Sequence, residues 1–253
     1  MRDLDELRQK LDGVDRELIR LFTERMDTAR DIATVKRALL KPIFDADREN
    51  EVVLSRTAQI PESYREEGER FVRLLIEESK RVQRKALNLY LIGMPDCGKT
   101  RTAKKLRGII PLPLVDTDKL IMQRTGRSID ELFDSVGEEG FRIIEREVLR
   151  TAAAHGGLLV ALGGGTPLYL DNAEIMKYSG LTVFLDRKLE NLHDQNIVNR
   201  PLLRGASREE INKNIDRQYH ERHDRYAACA DLTVDPDSDD AAGKIAEFYY
   251  NNM

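Results

Sequence analysis

Residues 93–100 read GMPDCGKT, and the spacing Gly93-x4-Gly98-Lys99-Thr100 is that of a loop that wraps phosphate groups. Glycines let backbone N–H groups turn toward the anion, and the helix that follows offers its positive end. Lys99 can then reach the β- and γ-phosphates while the Thr100 hydroxyl ligates Mg2+. Gly93, Pro95, Asp96, Cys97, Gly98, Lys99, Thr100 and Arg101 are the candidate ATP-binding residues, with Cys97 read as a small filler rather than a nucleophile. Three later stretches carry further chemistry. In VDTD, Asp116 and Asp118 are expected on one side of an extended chain, suited to a metal-bound water and a substrate hydroxyl. In GEEGFRIIE, Arg142 and Glu145 stand three apart on a helix, so the acid can aim the guanidinium. In ALGGGTP, Gly163, Gly164 and Gly165 leave bare backbone that a small ligand can approach. Plainer alternatives are a helix N-cap at Asp118, a surface ion pair at Arg142 and Glu145, and a simple turn at the glycines.

A second polar set lies ahead of the loop. Apolar residues Leu4, Leu7, Leu11, Val14, Leu18 and Leu21 recur at steps of three and four, one face of a helix. On that heptad count Arg25 falls on the core stripe itself, where an unpaired guanidinium is costly, and Arg8 and Lys36 share a flanking position. Ser79 and Gln83 continue the inward row of Val72, Leu75 and Ile76, and Asp45, Arg48, Glu49 and Val52 share a face of another helix. Polar groups from three helices thus converge, and a ligand bearing carboxylates and hydroxyls would satisfy them.

The elements that must position these groups fall into two domains, residues 1–86 and 87–253. Fourteen of the sixteen glycines and six of the eight prolines lie beyond residue 86. With no glycine or proline between Val14 and Lys41, the first helix is expected to run about 35 residues, roughly 50 Å. Two shorter helices follow, over about 45–59 and 62–85. They cannot cover so long a stripe, so a second chain is expected to cover the rest, as in a helical bundle or coiled coil. After residue 86 short apolar runs alternate with helical patterns: ALNLYLIG, PLPLVDTD, a helix near 138–155, GLLVALGGG, LTVFLD, a long helix from Ser207, ADLTVD and a last helix. That order predicts an α/β P-loop domain around a parallel sheet. The 41 basic against 45 acidic side chains imply no general attraction to nucleic acid or anionic membrane. The opening MRDLDELRQK is charged, and no stretch approaches the roughly 20 apolar residues of a membrane span. Cys97 and Cys229, unpatterned, point to a reducing cytosol without a disulfide framework, and neither His220 nor His223, read as solvated helix residues, has metal-ligand spacing around it.

The stretches LRQKLDGVDRELIRLFTERM, KRALLKPIFDADRENEVV and EESKRVQ resemble the all-helical class of chorismate mutase, a family of intertwined dimers, over residues 4–85. The resemblance implies a pericyclic rearrangement of chorismate to prephenate. Arg8 (from the partner chain) and Arg25 would hold carboxylates with help from Ser79, Lys36 and Gln83 would donate to the ether oxygen, and Glu49 and Asp45 would take the hydroxyl. Arg48 completes the matched set. From about Leu87 onward GMPDCGKT, LVDTDKLIMQRTGRSIDELF, GEEGFRIIEREVL, LGGGTP and NRPLL resemble shikimate kinase. By that resemblance Asp118 binds the shikimate hydroxyls and helps deprotonate the attacking one, and Asp116 with Thr100 supports Mg2+. Arg142 pairs with the substrate carboxylate, the three glycines line the pocket, and Arg200, in a lid around residues 193–206, neutralises the transferring phosphoryl. Two positions depart from the family: His193 replaces an adenine-stacking arginine, and Ala227 follows Tyr226 where a second carboxylate-binding arginine is expected, leaving Arg222 or Arg225 to substitute. The reading is a bifunctional, cytoplasmic enzyme of aromatic biosynthesis. Two alternatives stand: a helical domain that senses pathway products without turnover, and a kinase acting on another small polyol.

Overall fold

The computed structural model describes residues 3–39, 41, 46–84, 87–193 and 207–253. Asp45 and Arg200, with most of the expected lid, lie outside them. The chain divides into two compact units, Met1–Ala86 and Leu87–Met253.

The first unit is helical. Helix α1 runs Leu4–Ala38, 35 residues, with the Asp3 carboxylate accepting from the Asp5 N–H at its start and Lys36 and Arg37 in its last turn. Helix α2 spans Ala46–Thr57, a 3-10 turn follows at Glu62–Tyr64, and α3 spans Arg65–Arg84. Both α1 and α2 lie against α3. Among the described residues of this unit only Ala29, Ala33 and Val53 are buried apolar side chains, whereas Leu4, Leu7, Leu11, Val14, Leu18 and Leu21 are each 42–59% exposed. Three small side chains make a poor core, since each fully buried aliphatic side chain contributes only about 1.5–3 kcal/mol.

The second unit is a five-stranded sheet in the order β2-β3-β1-β4-β5, parallel throughout: β1 Asn88–Ile92, β2 Leu114–Asp116, β3 Leu159–Ala161, β4 Gly180–Leu185 and β5 Leu232–Val234. Strand β1 is central and buried along its whole length, as its apolar run NLYLI requires of a strand covered on both faces. Its two polar members are satisfied inside. Asn88 donates to the Ala152 carbonyl at 3.0 Å and accepts from the Leu158 N–H at 2.9 Å, and the Tyr90 hydroxyl meets Ser179 Oγ at 2.7 Å.

Around the sheet lie α4 (Lys99–Leu106), α5 (Thr117–Thr125), α6 (Ile129–His155), α7 (Asn172–Ser179), α8 (Leu189–His193), α9 (Arg208–Cys229) and α10 (Ala241–Asn251). Two boundaries differ from the sequence expectation. The chain leaves the strand at Asp116 and turns helical at Thr117, because the Asp116 carboxylate caps α5 by accepting from the Lys119 N–H at 3.2 Å. Asp116 and Asp118 are therefore not on one extended segment, and the N-cap is Asp116 rather than Asp118. Helix α6 starts nine residues before Glu138, at a capping box formed by Ser128 and Glu131, and bends at Gly137 (φ 71°).

Candidate functional site

In the second unit the loop between β1 and α4 crosses the carboxyl end of the sheet, where ligands of open α/β folds bind. Gly98 caps α4 in a left-handed conformation (φ 101°) and Asp96 takes φ 58°, so the loop turns sharply at both places. The Lys99 ammonium reaches back across the loop to the carbonyls of Gly93 (2.9 Å) and Met94 (2.8 Å). Thr100 Oγ1 donates to Asp116 Oδ2 at 2.7 Å. Loop residues, Asp116, Asp118 and Gly164 line one cavity of about 140 Å³. Cys97 is fully buried, and burial pushes its thiol pKa up, as befits a filler.

Gly165, next in sequence to Gly164, lines a second cavity of about 330 Å³ together with Arg142, Glu138, Tyr169, Arg222 and Arg225. Arg142 is 8% exposed and Glu145 2%, so their contact at 2.5 Å is a buried pair and not a surface one. Glu138 takes a second guanidinium donor at 3.0 Å, and Thr166 donates to the other Glu145 oxygen at 2.6 Å. Burial raises the Glu145 pKa against the pull of Arg142 and Thr166, and with those two donors the carboxylate stays paired. The glycines are required here by space. A side chain at Gly163 would run into Glu145 and Asp118, and one at Gly165 into the Arg142 guanidinium.

Helix α9 closes this cavity in a way the sequence reading did not assign. The Tyr226 hydroxyl donates to the Gly164 carbonyl at 2.6 Å, and burial pushes its pKa up to about 12, so it remains a neutral donor. Ala227 is exposed and takes no part, whereas Arg222 and Arg225 both line the cavity, Arg225 donating to the Leu168 carbonyl at 2.6 Å. His223 is not a solvated residue: it sits half-buried, edge-on to Phe184 and 3.3 Å from Asp186. His193 bonds Asp216 at 2.6 Å.

In the first unit the structure brings Arg25, Ser79 and Gln83 together, with Glu24, Thr28 and Ile32, around a cavity of about 390 Å³. Arg25 donates to the Leu75 carbonyl at 2.7 Å and to the Ser79 hydroxyl, which itself donates to Leu75 at 2.8 Å. Burial, and then the charge of Arg56, lower its pKa; its partners among the described residues are neutral. Such a cation is incompletely compensated until an anion arrives. Of the rest of the predicted set, the described residues Arg8, Lys36, Arg48 and Glu49 do not line this cavity. Glu49 is held by Lys80 at 2.5 Å, Arg48 meets Glu51 at 2.5 Å, and Lys36 is half-buried further along α1. Arg8 pairs with Asp5 in the open, seventeen residues before Arg25 and so about 25 Å away along the helix.

Comparison with known proteins fits both units. The family model for shikimate kinase matches residues 95–250, well over half of the chain. The chain belongs to the shikimate kinase family. Among shikimate kinase relatives, that of Clostridium botulinum (strain Eklund 17B / Type B) is 34% identical over 167 residues, 65% of this chain and 98% of its own. The shikimate kinase of Synechococcus elongatus is 41% identical over 155 residues, 58% and 76%. A solved shikimate kinase from Acinetobacter baumannii, in complex with shikimate, superposes with TM-score 0.62 at 28% identity, covering 68% of this chain and 98% of that one. The family model for chorismate mutase type II matches residues 7–84. The chain thus joins a chorismate mutase domain to a shikimate kinase domain, two enzymes of aromatic biosynthesis. No helix among the described residues is long and apolar enough to cross a membrane.

Proposed function

We propose that residues 87–253 transfer the γ-phosphate of ATP to the 3-hydroxyl of shikimate, and that residues 1–86 rearrange chorismate to prephenate, in a cytoplasmic homodimer. The observation that carries the kinase reading is the pair of cavities lined by adjacent glycines, Gly164 on the phosphate side and Gly165 on the Arg142 side. Donor and acceptor held side by side in this way need little further motion to react in line. Asp118 takes the proton of the attacking hydroxyl as its oxygen bonds to the γ-phosphorus and the bond to ADP breaks. Lys99 exchanges its two carbonyl contacts for phosphate oxygens, and Arg200 neutralises the transferring group. Arg142, aimed by Glu145, holds the substrate carboxylate, with Arg222 in the same cavity as the second cation that Ala227 does not supply. The Thr100 and Asp116 oxygens, 2.7 Å apart, are the hard donors that Mg2+ takes in ones and twos beside phosphates. Bound there, Mg2+ would offset charge on the β- and γ-phosphates.

Arg142→Ala is expected to raise KM for shikimate about a hundredfold, the size of a lost buried charge contact, with KM for ATP little changed. Steady-state kinetics with each substrate varied checks this, and an unaltered KM for shikimate would point to another acceptor.

In the mutase domain Arg25 carries the reading. The reaction breaks a C–O bond and forms a C–C bond in one step without proton transfer, so the domain need only hold a compact conformer and stabilise charge on the ether oxygen. Arg25 and Ser79 hold a carboxylate, Gln83 and Lys36 donate to the ether, and Glu49 with Asp45 accepts the hydroxyl. A second chain brings its own Arg8 to this cavity, because the distance along α1 prevents the first chain's Arg8 from doing so. The same chain covers the exposed Leu and Val stripe, too large an apolar face to leave in water. Leu18→Glu is therefore expected to give a monomer by sedimentation and to lower prephenate formation more than about a hundredfold, with kinase turnover within about twofold of wild type.

A further inference from the structure

Asp237 lies in the turn between β5 and α10, outside every motif read from the sequence. Its carboxylate receives donors from three separate segments. Oδ1 accepts from Arg101 Nη2 at 2.9 Å, and Oδ2 accepts from Arg187 Nε at 2.8 Å and Asn191 Nδ2 at 3.0 Å. Arg101 belongs to the first turn of α4, Arg187 follows β4, and Asn191 is in α8. Arg101 lines the phosphate cavity with its guanidinium folded over Gly98, and Arg187 continues to the Asp96 carbonyl at 3.3 Å, inside the loop.

We infer that Asp237 is a positioning residue for the nucleotide: it pins Arg101 at the rim of the phosphate cavity and, through Arg187, steadies the loop at Asp96. This rests on reading the loop as the ATP site. An isolated exposed ion pair would do little, and Arg101 is half exposed. Here, however, one carboxylate with 23% exposure ties three segments together, so no single partner leaves without losing shared geometry. Without that anchor the long Arg101 side chain samples many rotamers and must be ordered by ATP itself, which weakens binding. The opposing effect is repulsion between Asp237 and the phosphates, and at a wet rim water and salt screen it. Positioning therefore outweighs repulsion.

The test is calorimetric titration of ATP into the full chain and its D237N, D237E, R101A and D237N/R101A variants, with thermal melts. D237N and R101A are each expected to weaken ATP binding about fivefold to tenfold, the size of a charged contact at a half-exposed place. D237E should restore most of it. The double variant should lose clearly less than the product of the two single losses, since Asp237 acts in part through Arg101, and KM for shikimate should stay unchanged. Unchanged or tighter binding by D237N, effects that multiply in the double variant, or a D237N chain that no longer folds would overturn the inference. Shikimate-dependent ATP turnover by the wild type reports separately: its absence, with ATP binding and the coupling intact, would sink the kinase reading and leave this one standing.

Discussion

Lys99→Ala is expected to lower shikimate-dependent ATP turnover by about a thousandfold or more in kcat, while prephenate formation stays within about twofold of wild type. The ammonium of Lys99 is satisfied by two neutral carbonyls of its own loop, Gly93 and Met94. On the proposed reading that arrangement would exchange readily for phosphate oxygens of ATP, because a charged donor gains more from an anion than from a carbonyl. During transfer negative charge spreads over the γ-phosphoryl oxygens, and a cation already in place stabilises it without reorganisation. A thousandfold corresponds to about 4 kcal/mol, the scale of one lost preorganised charge. Coupled detection of ADP release checks the result, and kinase turnover within tenfold of wild type would mean the loop does not serve the transferred phosphate.

Arg25→Ala carries the second large effect, a loss of about a thousandfold in kcat/KM for chorismate with the kinase unaffected. Arg25 is anchored on one side by Leu75 and Ser79 and faces a cavity, with burial and Arg56 both working against its charge. Its side chain is already anchored, so on the proposed reading its binding energy would go into holding the reactive conformer. Arg25→Lys should recover little, because an ammonium lacks the planar fork that grips a carboxylate at two points. Prephenate formation followed by absorbance checks both variants; near-normal turnover by either would remove Arg25 from the site.

Much of this was legible in the sequence where local chemistry decides the outcome. The 35-residue length of α1 followed from an unbroken apolar period without glycine or proline after Val14. The buried strand β1 followed from a short apolar run ending at the loop glycine. In DTDK two acids compete to cap the helix, and the strand above decides that Asp116 does so, while both Asp116 and Asp118 line the cavity beside the loop. The early start of α6 was not read, because the helix bends at Gly137, just ahead of Glu138. Contacts between distant segments could not be read at all. Asp237 meets Arg101 across 136 residues, and Tyr226 meets Gly164 across 62. The helical unit illustrates a further limit, since of the predicted set only Arg25, Ser79 and Gln83 among the described residues of one chain line its cavity.

The most direct measurement assays the purified full-length protein, in one preparation, for prephenate formation from chorismate and for shikimate-dependent release of ADP. Both reactions are expected from the wild type, with Arg25→Ala losing only the first and Lys99→Ala only the second. A wild-type chain that phosphorylates shikimate but forms no prephenate, or a single substitution that removes both reactions, would contradict two separate active sites on one chain.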